Sequence, residues 1–336
     1  MKKRIFGAVA LCLTVAALAA RSEDNTEKRE YKWRLEKGQN YVLQTSVERK
    51  TAQTVSGKTE NLEQTTGFEC HFVIQDVEQD GSAWVNYSYK KANIKLKAPG
   101  VDVVFDSTKD TKLPLQALSL ALLLGESYYF KMTPQGKVER INGLDMVLTN
   151  MKAKIPSVQG RDKIAESFRR QMDEQAVRKE MERIFAIYPQ SAVAVGEPWQ
   201  TSEVLAEGAG MVVDKTSQIK ERKNGIAVID VNIVIRPNPQ SQPVRMGEMM
   251  VKWEASGNGR GKIETDEATG RIISGKIRSE WIEQAKVISA GARRRPEGPI
   301  ASVKTQVVTT CEMSEQNDEP AGSAEQPIPA APDVNK

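Results

Sequence analysis

The chain predicts an α+β fold: a mainly antiparallel, strongly curved β-sheet, built from two pseudo-repeated halves, with central helices packed on one face. Three observations carry the prediction. Apolar and polar residues alternate toward both ends of the chain, which is the period of half-buried strands. Over about residues 113–187 a period near 3.6 replaces it, as on amphipathic helices. Asp80-Gly81 and Asn224-Gly225 are two-residue hairpin signals, and hairpins make neighbouring strands antiparallel.

The first element is a leader. Met1, Lys2, Lys3 and Arg4 precede an apolar stretch from Ile5 to Ala20, and the chain turns polar at Arg21, Ser22, Glu23 and Asp24. That order, with Ala17-Leu18-Ala19 supplying an A-x-A site, predicts a secretion signal over 1–20. A membrane span would need roughly 20 apolar residues. Cys12 lies within the apolar stretch behind the bulky Leu11, so no lipid anchor is expected. The expected product is exported, periplasmic or extracellular, and soluble, with no transmembrane segment once the signal is gone.

Strands come next. Tyr41, Leu43, Thr45 and Val47 alternate with polar neighbours, as do Phe68, Cys70, Phe72 and Ile74, and again Ala83, Val85, Tyr87 and Tyr89. The central helices follow: Leu113–Leu124 before Gly125, a short one over Leu144–Met151, and a long amphipathic one over Asp162–Ile187 between Gly160 and Pro189. Ile226, Val228, Val231, Ile233 and Ile235 then run to Pro237, and later strands are expected over Glu248–Ala255, Gly270–Trp281 and Ser302–Cys311. Asp80-Gly81 echoes Asn224-Gly225, Gly136-Lys137-Val138 echoes Gly270-Arg271-Ile272, and Gly38 before Tyr41 echoes Gly196 before Trp199. These echoes predict the two related halves. Residues 21–313 read as a single β-rich domain, and 314–336, rich in Pro, Ala, Glu and Gln, as a disordered tail.

The chemistry is mostly a set of exclusions. The formal charge is +4; discounting Lys2, Lys3 and Arg4 leaves +1, and setting aside the acidic tail brings the folded part to +5, no footprint for nucleic acid. Arg293, Arg294 and Arg295 read as a solvated loop, with a phosphate or lipid-headgroup contact as the sharper alternative. The single histidine, His71, sits between Cys70 and Phe72 in a strand, so His71 and Cys70 point to opposite faces and form no nucleophile–base pair. One histidine and two separated cysteines do not make a zinc site. Gly257-Asn258-Gly259-Arg260-Gly261 reads as a hairpin tip, because no helix follows it to cradle a phosphate. Asp76, Glu78 and Asp80 lack the glutamate of a calcium loop. No cofactor is implied.

Two positive candidates remain. Cys70 and Cys311 are left in an oxidising compartment and form a candidate disulfide, with two free thiols as the alternative. Leu118, Leu122, Phe168 and Met172 are candidate lining for an apolar cavity beneath the helices, with ordinary core filling as the alternative.

Lys37-Gly38 with Tyr41, Pro134-x-Gly136-x-Val138 with Gly143, Tyr188-Pro189, Val195-Gly196-Glu197-Pro198-Trp199, Asp266 and Thr269-Gly270-Arg271 give the chain a resemblance. It resembles an uncharacterised family of secreted bacterial proteins classed as a domain of unknown function. The resemblance implies an exported compartment and one continuous domain, and brings no activity. The expected function is a non-enzymatic cell-envelope binding protein for an apolar or lipid-like ligand or a protein partner. The alternatives are a surface or periplasmic protein–protein interaction module without a small ligand, and a carboxylate-based hydrolase.

Overall fold

A computed structural model describes residues 26–155, 161–205, 210–246, 249–289 and 299–316. The leader over 1–20, the triple arginine at 293–295 and most of the tail lie outside the described residues.

Four strands open the chain: β1 (Asn40–Val55), β2 (Lys58–Val77), β3 (Ala83–Ala98) and β4 (Val101–Asp106). A single 3₁₀ turn (Leu115–Ala117) leads into α1 (Leu118–Leu123), then β5 (Ser127–Met132) and β6 (Val138–Asn142). Three helices follow, α2 (Leu144–Lys154), α3 (Arg161–Gln171) and α4 (Glu174–Phe185). The rest is β7 (Pro198–Leu205), β8 (Met211–Lys223), β9 (Ile226–Pro237), β10 (Val244–Met246), β11 (Met249–Asp266), β12 (Ile272–Ser289) and β13 (Ala301–Glu315). All thirteen belong to one antiparallel sheet with the path β6-β5-β3-β2-β1-β13-β12-β11-β9-β8-β7, β4 beside β3 and β10 beside β11. The sheet is open: among the described residues β6 and β7 end the path without pairing to each other.

Alternation decides which face is dry. The register sets Tyr41 opposite Phe72 and Leu43 opposite both Cys70 and Met313, so these side chains share one face. On that face Phe72 meets Tyr87, and Tyr87 meets Tyr128, while Ile263 meets Ile229 and Ile229 meets Ile219 on the other half. The helices pack there: α1 against β3, α2 against β5, α4 against β6. Phe185 at the end of α4 stacks on Phe72 with centroids 5.0 Å apart.

A strap ahead of β1 completes this core. Tyr31, Trp33 and Leu35 are buried, and Trp33 donates from its ring nitrogen to the Phe185 carbonyl at 3.0 Å and from its backbone to Pro134 at 2.7 Å. Just ahead of the strap the chain is tied in at Arg29, whose backbone exchanges hydrogen bonds with Val193.

The structure corrects several boundaries. The long helix expected over Asp162–Ile187 is two, α3 and α4, because the Asp173 carboxylate accepts the Gln175 amide and caps a new helix. The helix expected over Leu113–Leu124 shrinks to Leu118–Leu123, and Leu113 and Leu115 are exposed. Asn224-Gly225 is a tight hairpin with both residues at positive φ, 53° and 76°. Asp80-Gly81 is not: the link from Val77 to Ala83 is a longer loop in which Gly81 alone has positive φ, at 83°, and the Asp80 carboxylate takes the Ser82 amide. The two-residue hairpin in this half is Ser56-Gly57. Gly257–Gly261 is no hairpin tip but the middle of β11, paired to β9 and β12 throughout. Ser314 and Glu315, expected in the tail, belong to β13, which runs to Glu315 opposite Tyr41.

Candidate binding surface

The four residues expected to line a cavity are all buried in the main hydrophobic cluster: Leu118 and Leu122 on α1, Phe168 on α3, and Met172 just beyond it. Aromatic rings make up the centre of that cluster. Phe185 packs on Trp33 at 5.7 Å and on Phe130 at 5.7 Å, and Tyr87 packs on Tyr128 at 5.6 Å. None of the four lines the clefts described below.

Cys70 and Cys311 are free thiols. They lie on β2 and β13, which flank β1, opposite Leu43 and Thr45 respectively. Two strand spacings of roughly 4.8 Å separate them, beyond the ~7 Å Cα limit for bridging. The candidate disulfide is therefore corrected to two separate thiols. His71 falls on the opposite face from Cys70, near Glu69, as alternation requires.

Among the described residues several clefts open on the surface. One of about 430 Å³ lies by Glu69, Lys91 and Asp106. A second, of about 650 Å³, sits beneath the strap and is occupied by structural contacts: Tyr188 donates to the Gly270 carbonyl at 2.7 Å, Arg34 reaches the Glu267 carbonyl, and the almost fully buried Arg222 pairs with Glu267. Burial acts to raise the Asp266 carboxyl there, but hydrogen bonds from Thr269 outweigh it and hold the group below its ordinary value.

The largest cleft, about 920 Å³, crosses β1, β13, β12, β11 and β9. Its floor belongs to the face away from the helices. Glu48 pairs with Val308, Val308 with Arg278, Arg278 with Arg260 and Arg260 with Asn232, and each is one residue out of phase with the core-facing set. A second row runs Lys50, Gln306, Glu280, Asn258 and Val234. Arg260 thus stands directly across from Arg278, and one step along the strands Lys262 stands across from Lys276. Like charges in directly opposed positions are unfavourable in a sheet. These four cations take part in no ion pair or side-chain hydrogen bond among the described residues, although Asp230 stands opposite Lys262 and Glu48 lines the same cleft. Glu280 accepts from Gln306, Glu264 from Ser274, and Asp230 pairs with Lys220. Val234, 55% exposed, and Ile282 lie on the same bare face.

The displaced carboxylates move one way. Ser82 holds Asp80 low, Thr108 holds Asp106 low, Arg236 holds Asp214 low, Lys28 holds Glu197 low and Lys286 holds Glu254 low. Among the described residues no three His, Cys, Asp or Glu side chains are grouped as metal ligands, and no helix is long and apolar enough to cross a membrane.

The alternation in Gly257–Lys262, glycine on one face and Asn258, Arg260 and Lys262 on the other, was the available sequence signal for this surface. Reading the glycines as a turn hid it.

Fold and site together define a class: an open antiparallel sheet with helices on one face and a cationic cleft on the other. The chain belongs to the family of unknown function DUF6263, whose pattern matches residues 80–272. No curated protein matches it. Lipovitellin, in a structure of its lipid–protein interactions, is 11% identical with a TM-score of 0.44, aligned over 87% of this chain. The match spans only 26% of the lipovitellin chain. A putative outer membrane lipoprotein-sorting protein domain from Vibrio parahaemolyticus is 9% identical over 84% of this chain and 87% of its own, with a TM-score of 0.12. Pseudomonas aeruginosa OccK5 is 5% identical over 82% of this chain and 98% of its own, with a TM-score of 0.19. These scores are too low to establish a shared fold.

Proposed function

We propose that the protein is a non-enzymatic, exported binding protein of the cell envelope that takes a lipid-like ligand on the bare face of its sheet. The observation that carries the reading is the cleft of about 920 Å³ across five long strands, where unpaired guanidinium groups lie beside exposed valine. Polar anchors within an apolar setting are what an amphiphile requires. Export rests on the leader pattern over 1–20. Against a carboxylate hydrolase stands the direction of the displaced carboxylates, since a general acid needs its proton held more tightly.

Two further features of the architecture belong to this reading. The sheet is strongly curved, supported by Gly257, Gly259 and Gly261 on the core-facing side of β11. A Cβ at Gly257 would stand 2.2 Å from the Glu280 carbonyl, so only glycine lets β12 press this close. The halves are duplicated, supported by the β1-to-β6 and β7-to-β12 meanders, which run the same way across the sheet. The enclosing domain is taken as one unit over 21–313.

The test is native mass spectrometry of the processed chain extracted from its own envelope fraction without detergent. A stoichiometric bound mass is expected. Repeated preparations giving the bare chain alone would overturn the reading.

A further inference from the structure

We propose that the centre of the bare face, Arg260, Arg278, Lys262 and Lys276, docks on the phosphate groups of an anionic phospholipid surface. This rests on the binding reading above and names the chemistry of its partner.

The argument begins with an unfavourable arrangement. Two like-charged pairs face each other across adjacent strands, Arg260 with Arg278 and Lys262 with Lys276. Each such pair destabilises a sheet by a few tenths of a kcal/mol or more; Asp230 opposite Lys262, with Glu264 and Glu280 on the same face, offsets part of that repulsion, but among the described residues none of these acids forms an ion pair with the four cations. The side chains are exposed and project from consecutive same-face positions of rigid central strands. A guanidinium matches phosphate oxygens in bidentate fashion, and two facing arginines offer two such forks.

The margin of the patch points to a lipid surface over a soluble anion. Val234 is 55% exposed and Ile282 37%, both on this face, with Lys50 and Lys304 beyond them. Cations flanked by apolar side chains suit an interface where phosphates lie above acyl chains. The face is also wide: its cleft alone spans five strands, more than one small anion would occupy.

The experiment is vesicle co-sedimentation of the mature chain, using phosphatidylcholine alone and phosphatidylcholine with phosphatidylglycerol, at low and at physiological ionic strength. Selective binding to the anionic vesicles, weakening with salt, is expected. With each surface cation contributing about 1 kcal/mol, Arg260→Gln with Arg278→Gln should weaken binding roughly 30-fold. The double variant should keep or slightly raise its melting temperature, because a repulsive pair has gone. Equal binding to neutral vesicles, or a double variant that binds like wild type, overturns the proposal. Displacement by inorganic phosphate overturns the surface as the source and assigns the site to a soluble anion. A non-phosphorylated bound mass in the native spectra would sink this inference alone, while repeated spectra of the bare chain would sink the binding reading and this inference with it.

Discussion

Replacing Trp33 by alanine tests whether the strap ahead of β1 is part of the core. Trp33 is 1% exposed, and its ring lies edge-on to Phe185 at 5.7 Å and to Tyr188 at 6.4 Å, with Phe72 at 6.3 Å. Truncating a large buried aromatic to alanine costs about 3–5 kcal/mol. The Phe185 carbonyl, which accepts from the indole at 3.0 Å, keeps the Ile187 amide at 2.9 Å, so the lost hydrogen bond adds only about 0.5–1.5 kcal/mol. Trp33→Ala should therefore lose about 3.5–6.5 kcal/mol. Trp33→Phe keeps most of the ring contacts and gives up the hydrogen bond, so its loss should be about 0.5–1.5 kcal/mol. Urea unfolding followed by far-UV circular dichroism measures both, with no reliance on the fluorescence of the residue removed. If Trp33→Ala unfolds within about 1 kcal/mol of wild type, the strap is not packed as described and the reasoning fails.

Gly270→Ala should be strongly destabilising, because φ is +72° and a Cβ would stand 1.9 Å from the Lys32 carbonyl, whereas Gly57→Ala, at φ +80° with open space around it, should lose only about 1–2 kcal/mol; equal losses in thermal melts would remove the close approach as the cause. Alkaline pH should unfold the protein. Burial raises the phenol of Tyr41 to about 12, with Glu315 adding to it, and raises Tyr87, Tyr89, Tyr128 and Tyr188 as well. These groups favour folding below the unfolded value near 10, and that contribution is lost as pH rises above it, so urea midpoints that stay flat from about pH 9 to 11 would contradict the assignment. Burial also lifts the thiols of Cys70 to about 12 and Cys311 to about 11. Ellman's reagent should therefore find both unreactive in the folded chain at neutral pH and both reactive in denaturant; a mass short by one bonded pair of hydrogens would restore the disulfide.

Alternation made much of the sheet legible. Tyr41 and Leu43, Phe68 to Ile74 and Ala83 to Tyr89 stand where a period of two puts them, since strands buried on one face write that burial directly into sequence. The strap carried the same signal in Tyr31, Trp33 and Leu35, but the hydrogen-bond partners of Trp33, Pro134 and Phe185, lie more than 100 residues away, and nothing local distinguishes three alternating residues from a loose end. The break at Asp173 was hidden because apolar residues keep helical spacing across it, and only the capping potential of an aspartate marks the interruption. The cationic patch was hidden for a different reason. Arg260 and Arg278 meet only through strand register, so neither residue is unusual in its own neighbourhood.

Strand length argues that the bare face is more than packaging. β2 has twenty residues, β11 and β12 eighteen each, and an extended strand rises roughly 3.3 Å per residue, so these elements reach about 60 Å. The aromatic core occupies only one end of them: the buried rings stand on the first residues of β1 and the last of β2, while Val47, Thr66, Val307 and Thr309 are only half-buried. Away from the rings the strands bury two smaller clusters, Val251 with Ala285 and Val287 on β11 and β12, and Ile94 with Phe105 on β3 and β4. The inward glycines of β11 serve packing, since they let β12 approach, whereas the cations opposed on the outward side work against stability. The anionic surface proposed above would account for that opposition, because the cations gain free energy only when such a partner arrives.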